Sequence, residues 1–298
     1  MLVRLEQVAI CGSDMPDYMG VPPHYPLEVG GSGHEGIGII ESCPSGSYDE
    51  GERVLLWGFD RDNGLFQEEV LAKDAGLLRL PLDATPEKVL MSQLLGTVIR
   101  CFRKLGNIIN QNVVVLGQGP AGQLFNAVAR NLGAKRIIGA DLEEYRLEVG
   151  ARMGATHAIN ATSQDPIEEV RRITDGSMAD VVIEAVGGED TYGLCLGLTH
   201  RHSHVVCFGV PDKENHEGEI RLPLMEMQRK ELRLVTSVNY GDNPYDDYAV
   251  ALDWIMQGRI DVAPMVTHLL PFEQIQRGFE LAVERPTDER PVKVVLQF

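Results

Sequence analysis

A chain of 298 residues is longer than one hydrophobic core usually serves, so two domains are expected. Its 44% hydrophobic and 24% charged residues exclude a disordered chain, and 44 Asp+Glu against 27 Lys+Arg, a net charge of -17, argues against nucleic acid or an anionic membrane surface as partner. The five cysteines (Cys11, Cys43, Cys101, Cys195, Cys207) are scattered and never in C-x-x-C spacing, which points to a reducing cytoplasm rather than a secreted disulfide framework; no apolar run approaches the ~18 residues that span a bilayer, and no secretory leader is visible.

The chain opens on "LVRLEQVAI", a strand with no lead-in turn. Directly after it, "ICGSD" places Cys11, Ser13 and Asp14 together, and "GHEG" places His34 beside Glu35. A buried cysteine or a loop histidine is common by itself. Thiolate and imidazole together suit zinc, although a catalytic site needs three protein ligands and spacing does not supply the third. Up to residue 90 follow short strand-like runs, "EGIGIIES", "GERVLLWGF", "LFQEEVLAK" and "GLLRLP", broken by Gly, Pro and Asp; this predicts an antiparallel, barrel-like domain without helices.

From Asn112 the pattern changes. Residues 113–116 are consecutively apolar, as in a parallel strand buried on both faces, and Gly117, Gly119 and Gly122 then form G-x-G-x-x-G ahead of a helical apolar spacing. Gly117 serves the tight turn, Gly119 the approach of a pyrophosphate and Gly122 helix-on-strand packing, with Pro120 and Ala121 opening the helix whose N-terminus holds phosphates. A second strand ends at Asp141, 19 residues past Gly122, where a carboxylate binds ribose hydroxyls and repels a 2′-phosphate, so NAD is expected over NADP. Arg146 either reaches the ribose edge or is a solvated helix cation. Further strands, "ADVVIEAVGG", "HVVCFGVP" and "LRLVTSV", complete a doubly wound parallel sheet. Its ligand crevice lies at strand ends, namely Gly117, Ala185, Val186 and Gly187, and Gly209 to Pro211. The tail reads as a helix "DYAVALDWIMQG", then "MVTHLLPF", a helix "FEQIQRGFELAVE" and a strand "PVKVVLQF" that packs back on the N-terminal part.

Together "ICGSD", "GHEGIGII", "GERV", "GQGPAG" with Asp141, and "THLLPFEQIQRGFE" resemble the zinc-dependent medium-chain alcohol and polyol dehydrogenase family, over essentially the whole chain. The resemblance implies an α/β fold in which a Rossmann domain, residues 93–239, is inserted in a GroES-like β-rich catalytic domain, residues 1–92 and 240–298. It implies that Cys11 and His34 hold one catalytic zinc, that Glu35 is an adjacent acid able to touch it, that Ser13 passes the substrate proton and that Asp14 supports the histidine. The third-ligand position falls on Gln93, whose amide is a weak zinc donor. It also implies that the nicotinamide carboxamide rests on backbone near Phe208, Gly209, Val210, Thr236 and Ser237.

The sequence departs from the family pattern in three places. No cysteine stands where the four-cysteine lobe would be, so no structural zinc is expected; Pro16 holds the proton-relay histidine position, with His24 as a substitute; and the first barrel strands are missing, through truncation or a misassigned start. The expected activity is NAD-dependent oxidation of a secondary alcohol or polyol. A zinc-independent quinone or enone reductase and a catalytically impaired NAD-binding module are the alternatives. Tyr18, His24, Trp57 and Phe59 are candidates for the substrate pocket, the two strand-borne aromatics equally for the core. The family implies a homodimer or homotetramer, with "LRLVTSV" as the pairing edge.

Overall fold

A computed structural model describes residues 1–21, 31–57, 64–73, 77–211, 219–237 and 244–298. In chain order its elements are β1 (Leu2–Ala9), α1 (Met15–Tyr18), β2 (Gly36–Ser42), β3 (Arg53–Leu56), β4 (Glu69–Leu71), β5 (Leu78–Leu80), α2 (Pro86–Leu90), α3 (Ser92–Leu105), β6 (Asn112–Leu116), α4 (Pro120–Asn131), β7 (Arg136–Asp141) and α5 (Glu144–Arg152). There follow β8 (His157–Asn160), α6 (Pro166–Ile173), β9 (Ala179–Glu184), α7 (Glu189–Leu198), β10 (Thr199–Cys207), α8 (Leu224–Lys230), β11 (Arg233–Thr236), α9 (Tyr245–Met256), β12 (Val266–Pro271), α10 (Ile275–Glu284) and β13 (Lys293–Gln297). The chain divides into two compact units, the first comprising Met1–Gly96, Tyr240–Gly258 and Val266–Phe298, the second Thr97–Asn239 and Arg259–Met265.

The first unit is built on a sheet in the order β12-β13-β1-β2-β3-β5, with β4 also pairing β1. Strand β1 pairs antiparallel with both β2 and β13, in register Val8↔Gly36 and Val8↔Leu296. Val3, Leu5 and Val8 point into a core shared with Ile40, Val54, Leu56, Phe279 and Leu296, an alternation that a register shift between Leu5 and Gln7 interrupts. The strands lie so close that a Cβ on Gly38 would come within 2.5 Å of the Arg4 carbonyl. Two short helices stand among the strands where sequence reading expected none. α1 starts on Met15-Pro16, with proline in the first turn where its missing N–H costs nothing, and α2 starts on Pro86 in the same way.

The second unit is a parallel sheet in the order β11-β10-β9-β6-β7-β8, flanked by helices. Every residue of β6 is buried, which explains its unbroken apolar run. Strand β8 escaped the sequence reading because it lies at the edge and buries only Ile159 among four residues. β10 begins at Thr199, ahead of the apolar run, and ends at Cys207. Among the described residues no helix is long and apolar enough to cross a membrane.

Candidate active site

The first constellation belongs to the first unit and gathers at the end of β1. The Ala9 N–H donates to the Glu35 carbonyl (2.9 Å) and the Ile10 N–H to the Val294 carbonyl (3.1 Å), so the backbone ladder draws the turn after β1, the entry to β2 and the start of β13 to one point. Cys11 precedes a one-turn 3-10 helix, and the Asp14 Oδ2 accepts its N–H at 2.8 Å. A ligand atom each from Cys11, His34 and Glu35 then lies within 4.8 Å of the others. Asp14 Oδ1 stands 3.3 Å from His34 Nδ1, and Ser13 Oγ 3.5 Å from His34 Nε2. The Asp14 contact orients the ring, the arrangement typical of a metal-ligating histidine. Burial alone would push the His34 imidazole down, but the Cys11 sulfur and Asp14 outweigh it and hold the pKa well above the ordinary value.

Glu35 is fully buried, and so is its counter-ion. Lys293 Nζ lies 2.8 Å from Glu35 Oε2 and donates to the Ile10 carbonyl at 3.0 Å. Burial acts to lower the lysine pKa, yet the charges of Glu35, Cys11 and Asp14 prevail and raise it above the ordinary value. Glu35 Oε1 has no hydrogen-bond partner among the described residues. A buried carboxylate oxygen without a donor, beside a thiol and an imidazole, is the donor set of a zinc site and fits that ion. Lys293 was not anticipated; the signal in the sequence was a single cation inside the apolar terminal strand "VKVVLQF".

Gln93, the second residue of α3, is buried and donates from its amide nitrogen to the Tyr248 hydroxyl at 3.4 Å. The Tyr248 ring meets Trp57 at 4.8 Å, and Tyr18 stacks on Phe279 at 4.7 Å. Pro16 lies within α1. His24 and Phe59 lie outside the described residues.

The second constellation belongs to the second unit. Gly117 sits at φ +86°, and a Cβ on Gly122 would come 1.9 Å from the Gly117 carbonyl oxygen, so neither position admits a side chain. Gly119 is different: a Cβ there would meet only Arg146 Nη1, at 3.9 Å. The open space above Gly119 is a cradle at the N-terminus of α4, with Gly119 at the N-cap and Pro120 and Ala121 in the first turn. Asp141, ending β7, accepts the Gln118 N–H on Oδ2 (2.6 Å) and the Glu143 N–H on Oδ1 (3.0 Å), which brings the acid to the glycine turn. Arg146 is buried rather than solvated. Its Nε donates to the Tyr145 hydroxyl (3.2 Å) and its carbonyl accepts from Gln123 (2.9 Å).

The strand ends converge on the same turn. A Cβ on Gly117 would lie 2.7 Å from Val186 and 3.2 Å from the Ala185 carbonyl, and one on Gly187 would lie 2.2 Å from the Val210 carbonyl. Phe208 and Gly209 both donate their N–H to the Glu184 carbonyl, at 3.1 and 2.9 Å, and the Phe208 ring packs edge-on against Phe125. Ser237 is buried after β11, and the Thr236 carbonyl accepts from Lys104 (2.9 Å).

Comparison with known proteins bears on both constellations. The model of the zinc-binding dehydrogenases matches residues 120–257, and that of the alcohol dehydrogenase GroES-like domain matches residues 1–82. The chain belongs to the zinc-binding alcohol dehydrogenase family. The chain is 26% identical to L-idonate 5-dehydrogenase of Vitis vinifera over 93% of its own length and 83% of the relative's. It is 24% identical to L-threonine 3-dehydrogenase of Shewanella baltica, over 94% and 88%. Among solved structures, alcohol dehydrogenase TADH of Thermus sp. ATN1 superposes with a TM-score of 0.87 at 27% identity, covering 100% of this chain and 92% of that one. The wholly parallel sheet of the second unit therefore belongs to a Rossmann domain, and the sheet of the first unit, antiparallel except where β12 joins β13, to a GroES-like domain.

Proposed function

We propose that this protein oxidises a secondary alcohol or polyol with NAD as hydride acceptor and a single catalytic zinc held by Cys11, His34 and Glu35, with Gln93 at the remaining ligand position. The observation that carries the reading is the convergence of the three donor groups within 4.8 Å around an unpartnered Glu35 oxygen. When bound, zinc supplies a Lewis acid for the substrate hydroxyl and NAD a two-electron acceptor.

The chain's own residues do the rest. Ser13 Oγ, 3.5 Å from His34 Nε2, is the hydroxyl that would pass the substrate proton on, accepting it while releasing its own to solvent water. Asp14 fixes the orientation of His34, and Lys293 neutralises Glu35 so that the carboxylate stays buried. At the dinucleotide end, the glycine turn and the α4 N-terminus receive the diphosphate. Asp141 receives the ribose hydroxyls and its charge opposes a 2′-phosphate, favouring NAD over NADP. Backbone at Ala185, Val186, Phe208, Gly209 and Val210 receives the nicotinamide end. The absence of cysteines between β3 and β4 supports one zinc per chain and no structural zinc. The exposed Leu234 on edge strand β11 supports a homodimer or homotetramer paired through that edge, and five scattered cysteines, none in C-x-x-C spacing, support a cytoplasmic setting.

Metal analysis combined with an alcohol and polyol panel tests the reading. It predicts close to one zinc per chain, and NAD reduction that a chelator abolishes and zinc restores. Full activity in zinc-free protein would overturn it. That result would favour a zinc-independent enone reductase, the reading suggested by an amide at position 93, and hydride flow from reduced cofactor to an enone would identify it.

A further inference from the structure

Glu184, the last residue of β9, is wholly buried in the Rossmann domain, and the reaction as described gives it no task. Its Oε1 accepts three hydrogen bonds, from the N–H groups of Val186 and Gly187 (each 2.9 Å) and from the Thr191 hydroxyl (2.8 Å). Its carbonyl accepts the Phe208 and Gly209 N–H groups. Thus one residue ties together the two turns that carry Ala185, Val186, Phe208, Gly209 and Val210. Three donors on a single oxygen is the pattern of a carboxylate anion.

No cation pairs with Glu184 among the described residues, and the Tyr192 hydroxyl, which donates to the Gly209 carbonyl at 2.9 Å, also stands at hydrogen-bonding reach of the Glu184 carboxylate. The second carboxylate oxygen is Oε2. A Cβ on Gly209 would lie 2.4 Å from it, so this oxygen is directed at the backbone of the second turn. Its field is felt by its neighbours: burial first, and then the Glu184 charge, raises the pKa of the Cys195 and Cys207 thiols. A buried anion held by donors but by no cation is costly unless a positive charge completes the site. In NAD the nicotinamide ring is cationic when oxidised and neutral when reduced.

We propose that Glu184 is an electrostatic tuning residue, a buried anion beneath the nicotinamide-facing turns that stabilises the oxidised ring of bound NAD against the reduced one. The inference rests on the reading above, which places the nicotinamide at those turns. A residue that merely shapes the turns would support both redox forms equally, whereas a charge discriminates between them.

The decisive measurement is calorimetric binding of NAD, NADH and ADP-ribose to the wild-type chain and to Glu184→Gln, whose amide oxygen can still accept the three donors. The expected result is NAD affinity lowered by roughly ten-fold, with NADH and ADP-ribose within two-fold of wild type. Equal losses for NAD and NADH, or no loss at all, overturn the role of Glu184 while leaving the cofactor reading intact. A wild-type chain that binds neither NAD nor NADH overturns that reading and this proposal with it. Should the glutamine variant not fold, Glu184→Asp withdraws the charge by one methylene and must still weaken NAD more than NADH; a common factor for both rejects the proposal.

Discussion

At the scale of single residues the sharpest energetic contrast is the Glu35–Lys293 pair, both members fully buried. Replacing the lysine alone leaves an uncompensated charge in the interior, so Lys293→Met should cost about 3–5 kcal/mol of stability, read from urea unfolding. Glu35→Gln combined with Lys293→Met should recover most of that loss; a double variant as unstable as the single one would refute the charge explanation. Asp141 offers a second test. Asp141→Ser should lower the NAD-over-NADP preference in kcat/KM by on the order of ten-fold or more, and an unchanged ratio would remove the carboxylate from specificity. Cys101 offers a third, because burial pushes its thiol up to about 12. Below the ordinary thiol range both native and unfolded chains hold this proton and stability does not depend on it. Above that range, up to about 12, only the unfolded chain releases it, so stability should fall by ~1.4 kcal/mol per pH unit from this thiol. Cys101→Ala should flatten the profile.

At the scale of elements, the strand-turn-helix unit from β6 through α4 is where local sequence speaks most directly. Gly117 and Gly122 occupy positions whose neighbours exclude any side chain, so Gly122→Ala should abolish measurable NAD binding and destabilise the Rossmann domain by roughly 1–3 kcal/mol; retained NAD affinity would show that the turn yields more than its contacts suggest. Glycine spacing and the acid after the second strand are features of one short stretch, and for that reason the fingerprint was legible in sequence. The counter-charge of the candidate zinc site was not, although Ser13 and Asp14 were. Lys293 reaches the Ile10 carbonyl across a separation of 283 residues, and nothing near Glu35 in the chain signals which cation will cover it. Arg146 reads in sequence equally as reaching the ribose edge or as a solvated helix cation, because only tertiary packing buries it, with its Nε on the Tyr145 hydroxyl and its carbonyl held by Gln123 of α4. Short elements such as α1 and β8 carry too few residues for periodicity to register.

At the scale of the whole molecule, the proposed function assigns a different ligand to each unit. A dinucleotide that binds only the native Rossmann domain should raise its unfolding free energy by ~2.7 kcal/mol at 100 times Kd. Calorimetry with NAD should therefore move the transition of that domain, and zinc removal by a chelator should move that of the GroES-like domain. A single transition responding identically to both would indicate that the units unfold together. Strand β13 meets β1 through Gln7↔Gln297, Val8↔Leu296 and Ala9↔Val295, and the lysine that neutralises Glu35 heads that same strand. During synthesis on a ribosome the Rossmann residues are all made before β13 leaves the exit tunnel. Until then β1, which β4 meets along Leu2 to Arg4, lacks its neighbour along Gln7 to Ala9, and the buried acid lacks a counter-charge. The domain translated first is thus the one that must wait longest to close, and a nascent chain arrested short of β13 should expose that half to protease while the later-made half resists it.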